Sequence, residues 1–192
     1  MNAGSPESGI AIGLCWLAFV VVWVVSALRA SRAKRVETIP SRLVHGGLLI
    51  VGCGLLNPWI YAWAANPVLI PGGFAREVAG VALTACGVGL AIWARTFLGR
   101  HWSGRVTLKE GHELIQSGPY RFVRHPIYSG IGAAILGTAI WEGRLLSLLA
   151  VGCILGAFAW KIHLEERWLT EEFGPKYQDY QRRVKALVPF VV

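Results

Sequence analysis

Five apolar runs, each too long or too closely packed with its neighbours for a water-soluble loop-and-core protein, dominate this sequence. A helix needs about 20 apolar residues to cross the hydrocarbon of a bilayer. Ile10–Leu28 is uninterrupted, Leu43–Ala65 is long but carries Asn57-Pro58, and Val78–Leu98 is a third run. Ile127–Trp141 is shorter, and Leu145–Ile162 follows it after only Glu142-Gly143-Arg144. So short a connection predicts an antiparallel helical hairpin. Proline at position 58 predicts a kink or an early end in the second run. The expectation is an all-α integral membrane protein of about five transmembrane helices, with residues 1–192 forming a single membrane domain.

Composition agrees with lipid as the solvent. The chain is 54% hydrophobic and only 16% charged, with a mean hydropathy of +0.49, whereas soluble domains carry roughly a quarter charged residues. Its net charge of +8 does not point to nucleic acid, because the basic residues flank apolar runs rather than forming a soluble basic face. All but Arg76 and Arg144 of the 19 lysines and arginines fall on one side of the expected bundle. The positive-inside rule makes that side cytoplasmic, with the N-terminus outside and the C-terminus inside. The first run lacks a preceding Lys or Arg and is followed by Arg29, Arg32, Lys34 and Arg35, so it reads as a retained helix and not a cleaved signal. In a bacterial cell the membrane would be the inner one.

Glycines in the runs read as close-packing positions between helices, and Gly52-Cys53-Gly54 is not a nucleotide loop because no strand precedes it. Cys15, Cys53, Cys86 and Cys153 all lie in apolar runs without C-x-x-C spacing and read as small buried hydrophobes. From Leu164 to Val184 the chain is charged, with Leu164, Trp168, Leu169, Phe173, Tyr177 and Tyr180 at helical spacing. This predicts an amphipathic cytoplasmic helix, broken near Gly174-Pro175, lying on the membrane surface or over a site.

Two polar clusters stand at the cytoplasmic ends of the last two spans. His112–Gly130 combines two histidines, two arginines and two tyrosines around Gly118-Pro119, with Pro126 suited to a helix start. One by one, Tyr120, Arg121, Arg124 and Tyr128 are ordinary interfacial anchors, a reading that explains less well their convergence on one helix entrance. Lys161, His163, Glu165 and Glu166 form the second cluster, at a membrane depth where ionisable groups are functional candidates. Lys161 and Glu165 are four apart, so they share a helix face, and a plain surface ion pair is the alternative. The hairpin should bring both clusters together in a cytoplasmic pocket open to lipid.

Arg124-His125-Pro126-Ile127-Tyr128-Ser129-Gly130 resembles the R-H-P-x-Y-x-G motif of the isoprenylcysteine carboxyl methyltransferase family, which is itself similar to phospholipid N-methyltransferases. The likeness extends upstream through Gly111-His112-Glu113-Leu114-Ile115 and Gly118-Pro119-Tyr120. Downstream it takes in Glu165-Glu166, Glu171-Glu172-Phe173-Gly174-Pro175-Lys176-Tyr177 and Leu187-Val188-Pro189. It covers residues 93–190, while the first three spans match in hydropathy only. The resemblance implies that His112, Glu113, Leu114, Ile115, Tyr120, His125, Pro126, Tyr128 and Glu165 bind S-adenosylmethionine. It also implies that Lys161, Glu166 and Arg124 serve the chemistry. The family often has arginine where Lys161 stands, facing the substrate carboxylate, and lysine keeps the charge without the bidentate fork.

Methyl transfer from a sulfonium is accelerated by alignment. A carboxylate acceptor needs no base, whereas a lipid amine would call on His125 or Glu166. No metal is expected, since the histidines lack ligand spacing. The implied acceptor is a lipophilic or prenylated molecule, most simply an isoprenylcysteine carboxylate, with a phospholipid amine or small thiol as alternatives. A sterol-reductase-like enzyme using a nicotinamide cofactor is a further class, disfavoured by the small size and the Glu165-Glu166 pair, and a non-enzymatic scaffold would not need these residues at one bilayer face.

Overall fold

The computed structural model describes residues 4–28, 38–56, 66–99 and 114–189, and among them the fold is entirely helical apart from two isolated bridges. The helices are α1 (Pro6–Ala27), α2 (Ile39–Leu55), α3 (Phe74–Leu98), α4 (Pro126–Glu142), α5 (Leu145–Phe173) and α6 (Pro175–Arg183), with a 3-10 turn at Gly118–Arg121. Of these, α1, α3 and α5 are long and apolar enough to cross a membrane. Ile10, Leu14, Leu17, Val20, Val21 and Val24 of α1 are each more than half exposed. A helix that is apolar all round and unburied needs lipid as its solvent, and this is a membrane protein.

Contacts at the helix ends fix alternating directions. The α1 N-terminus meets the α3 N-terminus through Ser5 and Ser8, whose hydroxyls donate to Glu77 at 2.7 and 2.9 Å. At the other end Arg95 donates to the Ser26 carbonyl at 2.8 Å, so α1 and α3 run parallel. Trp160 of α5 donates to Ser41 near the start of α2 at 2.8 Å, while Gly52 near its end faces Ile154, so α2 and α5 are antiparallel.

The tightest seam lies between α3 and α4. A Cβ at Gly87 would stand 2.4 Å from the Ala134 backbone nitrogen, and one at Gly130 would stand 2.6 Å from that of Ala91. Gly80, Thr84, Gly87, Ala91 and Ala94 present this surface at alternating steps of three and four, the small-residue contact expected between helices in lipid. Asn57-Pro58 and the rest of the second run beyond Leu56 lie outside the described residues, and α2 itself starts four residues before the expected run.

The α4–α5 hairpin turns at Gly143, which has φ 67° and donates its N–H to Ala139 at 2.8 Å. The expected separate tail helix from Leu164 is corrected here: α5 continues without a break for 29 residues, to Phe173. At 1.5 Å per residue that is about 43 Å, well beyond a hydrocarbon core of about 30 Å. The change at Leu164 is a change of solvent and not of backbone, because Leu164–Phe173 is rich in residues that favour helix. The chain bends only at Gly174, where φ is +53°, and α6 is the short remainder.

Candidate active site

The protruding part of α5 stands beside the entrance of α4, and the two bring six of the expected residues together. Tyr128, in the first turn of α4, donates its hydroxyl to Glu165 Oε1 at 2.6 Å. The second oxygen of Glu165 faces His125 Nδ1 at 3.6 Å. The opposite ring nitrogen, Nε2, lies 3.1 Å from Glu166 Oε1. A carboxylate can only accept, so Nε2 carries the proton in that bond. Arg124 donates to the same Glu166 oxygen from Nε at 2.8 Å and approaches it with Nη2 at 2.6 Å. Lys161, one turn before Glu165, places Nζ 5.7 Å from the centre of the Tyr128 ring, within cation–π range.

Burial grades these groups. The His125 side chain is only 6% exposed and that of Arg124 10%, while Glu165 keeps 25% of its surface open. Glu166 keeps 20%, so the two carboxylates differ in their partners more than in exposure, Glu165 being held by Tyr128 and approached by His125. The Tyr128 ring also packs against Phe158 of α5, centroids 5.1 Å apart, which ties its hydroxyl to the bundle core. A shallow open groove along this part of α5 is lined by His163, Glu166, Arg167, Thr170 and Glu171, with Gln181 of α6.

Other expected cofactor residues are placed differently. Pro126 is fully buried at the first position of α4, where it starts the helix and can donate nothing. Tyr120 is buried, with its hydroxyl turned to the Ala94 carbonyl at 3.4 Å in the α3 seam. Burial, with the nearby Glu165 charge, pushes its phenol well above the usual tyrosine range. Leu114 and Ile115 are half-buried in the segment leading to the 3-10 turn. His112 and Glu113 lie outside the described residues.

Sequence reasoning did not assign Gln181, Ser129 or Tyr180 to the site. Gln181 donates to Glu166 Oε2 at 3.2 Å. Tyr180, buried in α6, donates its hydroxyl to the Tyr120 carbonyl at 2.5 Å. Its phenol is pushed up to about 12, chiefly by burial, so it stays a donor. The aromatic stripe of the tail was the available signal for Tyr180, but spacing does not say what a stripe covers.

A family model described as phospholipid methyltransferase matches residues 75–176, more than half of the chain, including nearly all of α3 and the whole of α4 and α5. The chain belongs to the phospholipid methyltransferase family. Among curated proteins it is 35% identical over 88 residues to protein-S-isoprenylcysteine O-methyltransferase B of Arabidopsis thaliana, covering 45% of each chain. It is 47% identical over 72 residues to methanethiol S-methyltransferase 2 of Bradyrhizobium diazoefficiens, 36% of this chain and 26% of that one. The cobalt-zinc-cadmium resistance protein CzcN of Cupriavidus metallidurans is 36% identical over 108 residues, 54% of this chain and 46% of its own. The matches thus span less than half the length of these relatives.

Proposed function

We propose that the protein is an integral membrane methyltransferase that uses S-adenosylmethionine to methylate a lipophilic acceptor, most simply an isoprenylcysteine carboxylate. The observation that carries this reading is the Glu165 carboxylate, partly open at the rim of a lipid-embedded bundle and held by Tyr128 at 2.6 Å. S-adenosylmethionine, when bound, supplies an electrophilic methyl group on a cationic sulfonium. The residues suit such a ligand. Glu165 can accept from an ammonium or ribose hydroxyls, and the Tyr128 ring beside it favours positive charge. His112, Glu113, Leu114 and Ile115 would complete the set that holds the cofactor.

Lys161 supports an anionic acceptor. Its ammonium stands beside the Tyr128 ring, at the level where α5 leaves the apolar span, so it can hold a carboxylate next to the methyl donor while a lipid tail stays in the bilayer. Alignment is then the main catalytic contribution, and no general base is needed. Relatives named for isoprenylcysteine O-methylation agree with this acceptor class.

The accompanying topology has residues 1–192 as a single membrane unit in which α1 to α5 all cross. The N-terminus is outside, and the site, α6 and the C-terminus are cytoplasmic; a bacterial host would carry it in the inner membrane. Support comes from the alternating helix directions and from Arg76 and Arg144, which sit together at the end remote from the site.

The test is calorimetric binding of S-adenosylmethionine to the purified protein, followed by transfer of labelled methyl to farnesylcysteine, phosphatidylethanolamine or an alkyl thiol. Binding with transfer to farnesylcysteine is expected. Transfer only to the amine or the thiol replaces the acceptor, and a folded sample that binds no S-adenosylmethionine refutes the reading.

A further inference from the structure

After α6 the chain turns back as an extended strap across the entrance of α4, and four successive carbonyl groups of that strap are engaged there. The Val184 carbonyl accepts from the Arg124 guanidinium. Lys185 accepts from the Arg124 backbone N–H at 2.8 Å, and Ala186 from the His125 N–H at 2.9 Å. Leu187 accepts from the Ser129 hydroxyl at 2.6 Å, and its side chain packs on the core cluster of α4 and α5.

We infer that this strap, locked by Arg124 and Glu166, is a positioning device that sets the His125 ring and through it the Glu165–Tyr128 pair. The inference rests on the methyltransferase reading for its consequence, though not for its geometry. Arg124 reaches the strap with its guanidinium and its backbone, while its Nε is committed to Glu166 at 2.8 Å. Glu166 in turn accepts from Arg124, His125 and Gln181, which leaves it little capacity to act as a base. Removing a buried partner from such a network costs more than the one contact, because the remaining groups stay desolvated. Arg124 and Glu166 therefore act through His125 and do not touch the reacting atoms.

The mechanical logic follows from His125 itself. It precedes the first helical residue, with φ −123° and ψ 58°, and no side chain caps the helix from that position. Its backbone N–H lies outside the helical ladder and is satisfied by Ala186. A loosened strap frees that N–H and the Arg124 fork together. The imidazole then loses the orientation that turns Nε2 to Glu166 and Nδ1 to Glu165.

The experiment uses the full chain in detergent with 15N-labelled histidine, in wild type and in two variants that attack the strap from different sides, Arg124→Lys and Ser129→Ala. Two readouts are taken: the His125 ring nitrogen resonances and the dissociation constant of S-adenosylmethionine, with acceptor KM measured at saturating donor. Both variants are expected to move the His125 resonances. They should weaken donor binding about tenfold, the scale of one lost hydrogen bond in a network, with acceptor KM within about twofold. Ser129→Ala removes one hydroxyl, which lies 2.6 Å from the Leu187 carbonyl of the strap and 3.2 Å from the His125 carbonyl, and keeps the inference testable should Arg124→Lys fold poorly. Unmoved ring resonances in folded Ser129→Ala overturn the inference, as do moved resonances with unchanged donor affinity. If wild type binds no donor, the methyltransferase reading fails, and the ring resonances alone decide whether the strap sets His125.

Discussion

Tyr128→Phe removes the hydroxyl bond to Glu165 at the centre of the site. The substitution keeps the ring, so the packing on Phe158 at 5.1 Å and the Lys161 ammonium at 5.7 Å both survive. It deletes only the hydroxyl that donates to Glu165 Oε1 at 2.6 Å. Such a charge-assisted bond contributes about 1.5–3 kcal/mol when shielded from water. Glu165 retains 25% exposure, so water replaces part of the loss and the lower end applies, roughly 1.4 kcal/mol or tenfold in affinity. The other described neighbour, His125 Nδ1 at 3.6 Å, is too far to take over as a hydrogen-bond anchor. Calorimetric titration with S-adenosylmethionine should therefore give a dissociation constant about tenfold higher, with the unfolding temperature lowered by no more than about 3–6 °C. An unchanged dissociation constant would refute the claim that Tyr128 presents Glu165 to the methyl donor. A large drop in unfolding temperature would make Tyr128 a packing residue.

Gly87→Leu should destabilise the bundle by about 3 kcal/mol or more, because a Cβ there would meet the Ala134 backbone at 2.4 Å. Gly89→Leu, where nothing lies within 4 Å, should leave thermal unfolding in detergent nearly unchanged. Glu165→Ala should abolish binding of the methyl donor in a protein that still elutes as a folded species; normal binding would move the pocket elsewhere. Lys161→Met should raise KM for an anionic acceptor and leave donor affinity unaltered, and loss of both together would place Lys161 on the donor instead. Tyr180→Phe strands the Tyr120 carbonyl and should cost about 1–2 kcal/mol in chemical denaturation.

Where the chain would cross lipid was readable without coordinates, since hydrocarbon imposes a length and polarity test that Ile10–Leu28 and Val78–Leu98 pass on their own. The convergence of the Arg124–Tyr128 and Lys161–Glu166 clusters was readable too, because a three-residue hairpin leaves their helices no other way to lie. The boundary at Leu164 was not. Hydropathy reports solvent, and a helix that leaves the membrane without bending looks from its sequence like two elements. Tyr120 and Pro126 were named beside His125 and Tyr128, yet their side chains are buried in packing, and a linear motif does not encode which of its members are buried.

The apolar runs determined by themselves that this chain belongs in a membrane, because burying so much apolar surface leaves no soluble alternative. Only the tertiary structure decided how the charged groups of the site are divided. It bonds Glu165 to Tyr128, commits Glu166 to Arg124, His125 and Gln181, and brings Val184–Leu187 back across α4. The division depends on hydrogen bonds between segments some 60 residues apart, and no local pattern of residues records such distant pairing.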